Sequence, residues 1–308
     1  MPADHFCSPI SPPESASTDG TMPRAVSWRE AIRSESTLFI IAEGDDGRTY
    51  VIKHVDSGDG ATTIIVDWLS CRLAALLGIP VPIPAPIEIG PALLPAELDT
   101  EISVPVHKCL ELNPALSFLQ QVPGFGLSGT LAQAGEIADD IFLFDILIGN
   151  LDRTRDHPDA LRSKSCLFGH DFSGSITMRS AIDGRDPVVP QFFAIFRRHP
   201  FFKVGIAAER FRRKVLALSD DSLAEIAASV PPVWLQRLYP GLSPDERNAK
   251  VVRALHIVRD RASGLDAYVA GIERSSTNPD EIRVSRKFGD TRAFLGRIVQ
   301  SDSACSRG

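Results

Sequence analysis

The stretch that decides the fold is IFLFDILIGNLDRT, residues 141–154. Its apolar residues recur at helical spacing, which predicts a helix with a buried face, and Gly149-Asn150 is a typical stop. Asp152 follows in the loop, where a carboxylate at the end of a buried helix can accept a proton from a substrate hydroxyl. The alternative is a simple helix C-cap followed by a surface pair of Asp152 and Arg153.

The sequence before this helix predicts a half rich in β-structure that contains one helix. Two β-rich runs, LFIIA (38–42) and TYVIKHV (49–55), flank an Asp-Gly turn and predict a hairpin. TTIIVDWLSCRLAALLG (62–78) has helical spacing. The prolines of IPVPIPAPIEI (79–89) forbid a helix and favour an extended edge or connector. ISVPVHKCLEL (102–112) resembles one more strand.

The sequence after residue 154 is predicted to be mostly helical. SCLFGHDFSGSIT (165–177) predicts a hairpin with Asp171 at its turn. Amphipathic segments follow, and one of them begins with a capping box of Ser243 and Glu246. The fold class is therefore α+β, with a small β-rich half and a larger helical half, and ligands often bind in the cleft between such halves.

Composition limits the possible functions. The 308 residues are 44% apolar and 23% charged, which predicts one large folded domain or two lobes. A net charge of −6 argues against direct nucleic-acid binding through a basic surface. Five scattered cysteines indicate free thiols in a reducing cytoplasm, and we find no signal peptide or membrane span. We expect a disordered arm over residues 1–24 and a C-terminal tail over 273–308.

Charged residues in the two halves could act together on a nucleotide. Lys53 lies in a strand with apolar neighbours and needs an anion, unless it is a lysine that extends along the surface. Asp67 on the next helix could orient it, as phosphoryl transfer requires, or could lie on a solvated face. Asp171 lies 19 residues after Asp152 (171 − 152), and two such acids can hold Mg²⁺ beside phosphates. The alternative for Asp171 is ordinary turn chemistry.

In this order of residues, the chain resembles the HipA-like kinases, which are related in fold to the phosphatidylinositol 3- and 4-kinases. The resemblance extends from about Ser27 to Val269. It is carried by SWREAIRSESTLFIIAEGDDGRTYVIK, DWLSCRLAALLGIPVP, IFLFDILIGNLDRT, HDFSG, RRHPFF and VPPVW. It implies a two-lobed kinase-like fold with the N-lobe over residues 25–112 and the C-lobe over 113–272.

The resemblance also implies a site for ATP between the lobes. Ser36 and Thr37 would lie in the loop that covers the phosphates, and Lys53 would bind the α- and β-phosphates. Residues 110–113, among them Leu110 and Leu112, would border the adenine at the hinge. We expect the Lys53 ammonium and the carboxylate of Asp67 to lie within roughly 4 Å of each other.

By the same resemblance, Asp152 would be the catalytic Asp, and Asp171 would bind Mg²⁺ or Mn²⁺. Two residues depart from the family pattern. Asp67 replaces a Glu and is shorter by about 1.5 Å. His157 stands where the family has a metal-binding Asn, and a neutral imidazole suits Mg²⁺ poorly, so Asp156 is the substitute ligand that we consider.

Three functions remain open at this point. The leading one is an ATP-dependent phosphotransferase that acts on a protein Ser/Thr or on a small molecule. The rival is a pseudokinase, a nucleotide-binding or scaffold protein without transfer activity, because of His157. The third is the toxin of a toxin–antitoxin pair. For either kinase form, we expect Asp152 and Asp171 to face one cleft with Lys53 on its opposite wall, and mutual repulsion to raise at least one carboxylate pKa.

Overall fold

The computed structural model describes a part of the chain that includes both predicted halves. The described residues are 22–33, 38–53, 60–82, 84–90, 93, 117–121, 135–155, 160–163, 166–169, 171–185 and 193–275. None of the helices in these ranges is both long and apolar enough to cross a membrane.

Five strands of the small half form one closed sheet. They are β1 (Arg24–Arg33), β2 (Leu38–Gly44), β3 (Thr49–Lys53), β4 (Pro84–Ile89) and β5 (Ser117–Gln121). The order is β1-β2-β3-β5-β4, and two parallel pairs between β4 and β1 close the ring. All other pairings are antiparallel, and β2–β3 is the hairpin that the sequence predicts.

The sheet contains more than the sequence patterns indicated. β1 begins at Arg24, the last residue of the expected arm, and the segment expected to be an extended edge or connector contributes β4 to the closed sheet. β5 lies beyond residue 112, where we expected the small half to end, yet it pairs with β3 and β4, so the described sheet extends to Gln121. The strand expected over 102–112 lies outside the described residues.

The helical part begins with α1 between β3 and β4 and continues after β5. Its members are α1 (Ala61–Leu76), α2 (Gly135–Ile148), α3 (Ile176–Ile182), α4 (Phe193–Phe196), α5 (Glu209–Leu216), α6 (Asp220–Ala228), α7 (Pro232–Leu238), α8 (Pro244–Arg261) and α9 (Leu265–Arg274). α2 ends before Gly149, and α8 begins with the expected capping box of Ser243 and Glu246. The predicted α+β class is confirmed.

The hairpin predicted over 165–177 is placed wrongly. The observed hairpin pairs β6 (Ala160–Ser163) with β7 (Cys166–Gly169), and Asp171 follows β7 instead of forming the turn. The residues after Ser175 form α3 rather than a second strand. The turn residues of Asp-Phe-Ser-Gly serve equally well before a helix, where Ser175 is the N-cap residue, so composition alone did not separate the two cases.

Among the described residues, two hydrophobic clusters form the core, and α1 belongs to the larger one. The small cluster fills the closed sheet and includes Ile40 and Ile52. The large cluster joins α1 to the helices that follow β5. Within it, the Trp68 ring of α1 meets the Trp234 ring of α7 edge to face at 5.4 Å, and Trp68 Nε1 donates to Ser229 Oγ at 2.9 Å. The helix that carries Asp67 is therefore fixed to the helical half.

Candidate active site

Lys53, the last residue of β3, is a buried cation held between two carboxylates. Its side chain is 5% exposed, and Nζ donates to Asp67 Oδ2 at 2.6 Å and to Asp171 Oδ1 at 2.8 Å. Burial alone would lower the pKa of Lys53, but the negative charges of Asp171 and Asp67 more than compensate and raise that pKa above its ordinary value. Lys53 is therefore protonated at neutral pH.

The carboxylate of Asp67 bridges the sheet and the segment that carries Asp171. Oδ2 accepts from Lys53, while Oδ1 accepts from the backbone N–H of Phe172 at 2.8 Å. Burial raises the pKa of Asp67, Lys53 opposes the rise, and the charge of Asp171 adds to it. The expected contact between Lys53 and Asp67 is confirmed, and the shorter side chain reaches because α1 is packed close to both partners.

Asp171 adopts a backbone conformation that is uncommon for a residue with a side chain. Its φ of 54° lies in the left-handed region, and among the described residues it is the one non-glycine with a positive φ. The hydroxyl of Ser173 donates to Asp171 Oδ1, and Asp67 holds the next peptide N–H, so the surroundings stabilise this conformation. Lys53 contacts Asp171 directly, instead of facing it across the cleft as we had expected.

Asp152 lies beside the same turn as Asp171. An ideal Cβ built on Gly174 would lie 2.1 Å from Asp152 Oδ2 and 3.0 Å from Asn150 Oδ1, so the backbone of the Asp171 turn touches the Asp152 carboxylate. The residue as a whole is exposed, whereas its carboxylate lies against the protein. Burial of that group and the nearby charge of Asp171 raise the pKa of Asp152, which agrees with the expected repulsion between the two acids.

Gly149 and Asn150 set the path of the chain from α2 to Asp152. Gly149 has a φ of 71°, and a Cβ there would lie 2.5 Å from Thr177 Oγ1, so both conformation and space favour glycine. Asn150 forms an isolated β-bridge with Ser175, just before α3. The loop with Asp152 and the turn with Asp171 are thus joined where the loop leaves α2 and the turn enters α3.

Arg179 on α3 is a cation near the two acids that the sequence interpretation did not identify. Its guanidinium donates to Thr63 Oγ1 in the first turn of α1 at 3.0 Å and to the carbonyl of Ser173 at 3.5 Å. Its positive charge opposes the rise in the pKa of Asp152. No local pattern could have indicated this role, because Arg179 and Thr63 are 116 residues apart.

Several predicted site residues cannot be placed. These are Ser36, Thr37, Leu110, Leu112, Asp156 and His157, which all lie outside the described residues. Within the ranges given above, no three His, Cys, Asp or Glu side chains come together in a way that could hold a metal ion. Asp152 and Asp171 do supply hard oxygen donors of the type that Mg²⁺ prefers, so the donor chemistry fits a divalent metal.

Comparisons with known proteins find a family model and a solved structure to which this chain is similar. Residues 29–160 match the family model of the HipA-like kinases, so the family resemblance is confirmed over the stretch that contains Lys53, Asp67 and Asp152. A solved structure, the proinflammatory kinase CtkA of Helicobacter pylori, is similar with a TM-score of 0.45 and 10% identity, covering 82% of this chain and 100% of that chain. A search of curated proteins gives no match.

Proposed function

We propose that this chain, a HipA-like kinase by the match over residues 29–160, transfers the γ-phosphoryl group of ATP to a Ser or Thr hydroxyl of a protein. A small-molecule hydroxyl is the other acceptor that we consider. The coarser statement, a kinase-type phosphotransferase, rests on the family match itself. The scattered cysteines suit a reducing compartment, so we place the reaction in the cytoplasm.

The observation that carries the proposal is the buried ammonium of Lys53, which lies between the buried carboxylate of Asp67 and the partly exposed carboxylate of Asp171. Lys53 is protonated and close to the turn of Asp171, so it can bind phosphate oxygens of ATP. Asp67 fixes the direction of the ammonium from a helix that is itself fixed by packing. Pre-organised charges of this kind stabilise the transition state for phosphoryl transfer more than mobile charges do.

The transfer needs a base, which we assign to Asp152. The acceptor hydroxyl oxygen forms a bond to the γ-phosphorus, its proton passes to the Asp152 carboxylate, and the bond between the γ-phosphorus and the bridging oxygen breaks to release ADP. The raised pKa of Asp152 makes its carboxylate a stronger proton acceptor than an ordinary Asp.

The proposed metal site is centred on Asp171. Asp171 would hold Mg²⁺ or Mn²⁺, with Asp156 or His157 as further ligands, and a bound metal would neutralise charge on the phosphates. Imidazole in place of an amide oxygen favours Mn²⁺ over Mg²⁺. We keep the remaining proposals from the family resemblance, namely that Ser36 and Thr37 cover the phosphates and that Leu110 and Leu112 border the adenine.

A pseudokinase is the second candidate, and His157 is the residue that favours it. If the metal position at residue 157 is lost, the chain could bind a nucleotide without transferring phosphate. The two functions share the cleft and differ in the consequence of removing Asp152. A base acts only as the transition state forms, so its loss affects transfer and not binding.

The experiment is ATP binding by calorimetry with Mg²⁺, with Mn²⁺ and with a chelator, followed by a radiolabelled transfer assay. Asp171→Ala should abolish metal-dependent ATP binding, because the phosphates would then meet the remaining acids without a metal between them. Asp152→Ala should bind ATP normally and transfer none. His157→Asn should raise activity in Mg²⁺. No ATP binding by the wild type or by His157→Asn in either metal would refute the enzyme and leave a scaffold.

A further inference from the structure

Asp145 is a buried acid for which the proposed function has no use. It lies on α2 and is inaccessible to solvent, yet it receives donors from three side chains. Arg153 Nε donates to Oδ2 at 2.5 Å, His199 Nε2 to Oδ2 at 2.9 Å and Asn150 Nδ2 to Oδ1 at 3.1 Å. A lone acid inside the apolar run IFLFDILI was the available sequence signal for this cluster.

Two of the three donors flank the proposed catalytic base. Asn150 and Arg153 lie two residues before and one residue after Asp152, and the backbone N–H of Asn150 also donates to the carbonyl of Asp145 at 2.8 Å. The guanidinium of Arg153 lies over the ring of Phe172, 5.2 Å from its centroid. The cluster thus contacts both the loop of Asp152 and the residue that follows Asp171.

His199 supplies the third donor from the segment after α4. Its ring is 1% exposed, packs against Phe142 at 5.0 Å, and accepts from the backbone N–H of Phe201 through Nδ1. Because Nδ1 accepts, the ring proton lies on Nε2 and points at Asp145. Burial lowers the pKa of His199, so the neutral ring that this arrangement needs is the form present at neutral pH.

The charge of Asp145 is balanced by its partners. Burial would raise the pKa of Asp145, but Arg153 and His199 outweigh it, so that pKa lies below its ordinary value. A buried ion pair of this kind contributes little to stability compared with an apolar cluster of the same size. The ion pair and its hydrogen bonds instead restrict the orientation of the loop, because each hydrogen bond is formed in only one geometry.

We propose that Asp145 and His199 are positioning residues that hold the loop Gly149–Arg153, and with it Asp152, at a fixed distance from Asp171. The assignment of Asp152 as the base rests on the proposed function, but the holding of the loop does not. A displacement of a reacting group by about 1 Å can lower a rate on the order of 10²-fold. The cluster would therefore act on turnover rather than on ATP affinity.

The test compares variants of the full chain by hydrogen exchange of the amides at residues 149–155. His199→Phe keeps the aromatic packing and removes both the Nε2 donor to Asp145 and the Nδ1 acceptor for the Phe201 N–H, whereas His199→Gln keeps an N–H that can reach Asp145. Asp140→Asn is the matched control, because Asp140 is a buried acid on the same helix but binds Arg210 and Lys214 instead. We expect exchange at 149–155 to rise about 10-fold or more in His199→Phe, since a hydrogen bond to a charged group is lost.

His199→Gln should return the loop exchange most of the way to the wild-type rate, and Asp140→Asn should leave it unchanged. In the transfer assay, His199→Phe should lower kcat with the KM for ATP unchanged. Loop exchange in His199→Phe that equals that of Asp140→Asn would overturn the proposal. If the wild type transfers no phosphate, the proposed function fails, and the exchange experiment still decides whether the cluster holds the loop.

Discussion

Gly174 is the residue of the Asp171 turn that lies against the Asp152 carboxylate. Its φ is not in the left-handed region, so the reason for glycine here is space: a methyl group would lie 2.1 Å from Asp152 Oδ2. The contacting group is the end of the Asp152 side chain, which can rotate away from an added methyl group. Any side chain at residue 174 must therefore displace Asp152.

We expect Gly174→Ala to lower phosphoryl transfer on the order of 10²-fold, because the base is moved while its carboxylate is retained. ATP affinity, measured by calorimetry, should change little, because the base is not a binding group. Gly241→Ala is the matched control, since a Cβ there meets nothing within 4 Å. Equal activity of the two variants would contradict the placement of Asp152.

Lys53 neutralises two acids, and its removal should therefore be costly. Lys53→Met leaves Asp67 as an uncompensated buried charge, which we expect to lower the free energy of unfolding by about 3–5 kcal/mol at pH 7. This loss of stability should shrink as the pH falls, because a protonated Asp67 carries no charge and needs no cation. Since the pKa of Asp67 is raised, its protonation begins closer to neutral pH than that of an ordinary Asp. Urea titrations at several pH values measure both effects.

The double variant Lys53→Met/Asp67→Asn separates stability from function. The amide oxygen of an Asn at residue 67 can still accept from the backbone N–H of Phe172, and no buried charge remains at that position. We therefore expect the double variant to regain much of the lost stability and none of the ATP affinity. A Lys53→Met protein as stable as the wild type at pH 7 would show that the ion pair is not formed in solution.

At the scale of elements, α1 differs most from the expectation that it belongs to the small half. It carries Asp67 toward the sheet, yet its buried apolar side chains belong to the large cluster. We expect Trp68→Ala to lower the free energy of unfolding by about 3–5 kcal/mol, because a large buried ring and its contact with Trp234 are lost.

Trp68→Ala should also weaken ATP binding. Asp67 precedes Trp68 on α1, so the orientation of the Asp67 carboxylate depends on how the helix packs. Ser229→Ala is the milder comparison, because it keeps both rings and removes only the Ser229 hydroxyl, which accepts from Trp68 Nε1 and donates to the carbonyl of Ile226; it should cost about 1 kcal/mol. Urea unfolding and calorimetry of both variants make the measurement. If Trp68→Ala leaves the free energy of unfolding of the helical part unchanged, α1 does not belong to the helical part.

The elements that the sequence predicted are those with an unbroken local period. The β2–β3 hairpin, α2 and the capped α8 follow from neighbours along the chain. β1 was missed because its register shifts between Ala25 and Ser27 and between Trp28 and Glu30, and such bulges break the period of two. β5 was missed because its partners, β3 and β4, lie far from it in the sequence.

The same reasoning explains which part of the site was predictable. Lys53 and Asp67 were identified because a charge in an apolar element is visible locally, and their mutual contact was then inferred from the family resemblance. The direct contact of Lys53 with Asp171 joins residues 118 positions apart, and that of Asp145 with His199 joins residues 54 apart. No short window contains both partners, so these contacts required the folded structure.

At the scale of the whole molecule, the two hydrophobic clusters differ greatly in size. The closed sheet encloses a few side chains, among them Ile40 and Ile52, whereas the large cluster extends through α1 and most of the later helices. Local stability follows the amount of buried apolar surface. We therefore expect the amides of β2 and β3 to exchange through an opening of lower free energy than those of α8, measured by native-state hydrogen exchange.

ATP should reduce the difference in opening free energy between the sheet and α8. Lys53 is the last residue of β3, so opening the sheet would break the contact between its ammonium and the bound nucleotide. At an ATP concentration of about 100 times Kd, we expect the opening free energy at Ile40 and Ile52 to rise by about 2.7 kcal/mol. Lys53→Met is the control and should show no such rise.

Equal opening free energies in the sheet and in α8 without ATP would mean that the two clusters unfold as one cooperative unit. Protection by ATP in Lys53→Met would mean that the nucleotide is held without Lys53, which would remove the observation on which the proposed phosphotransferase depends.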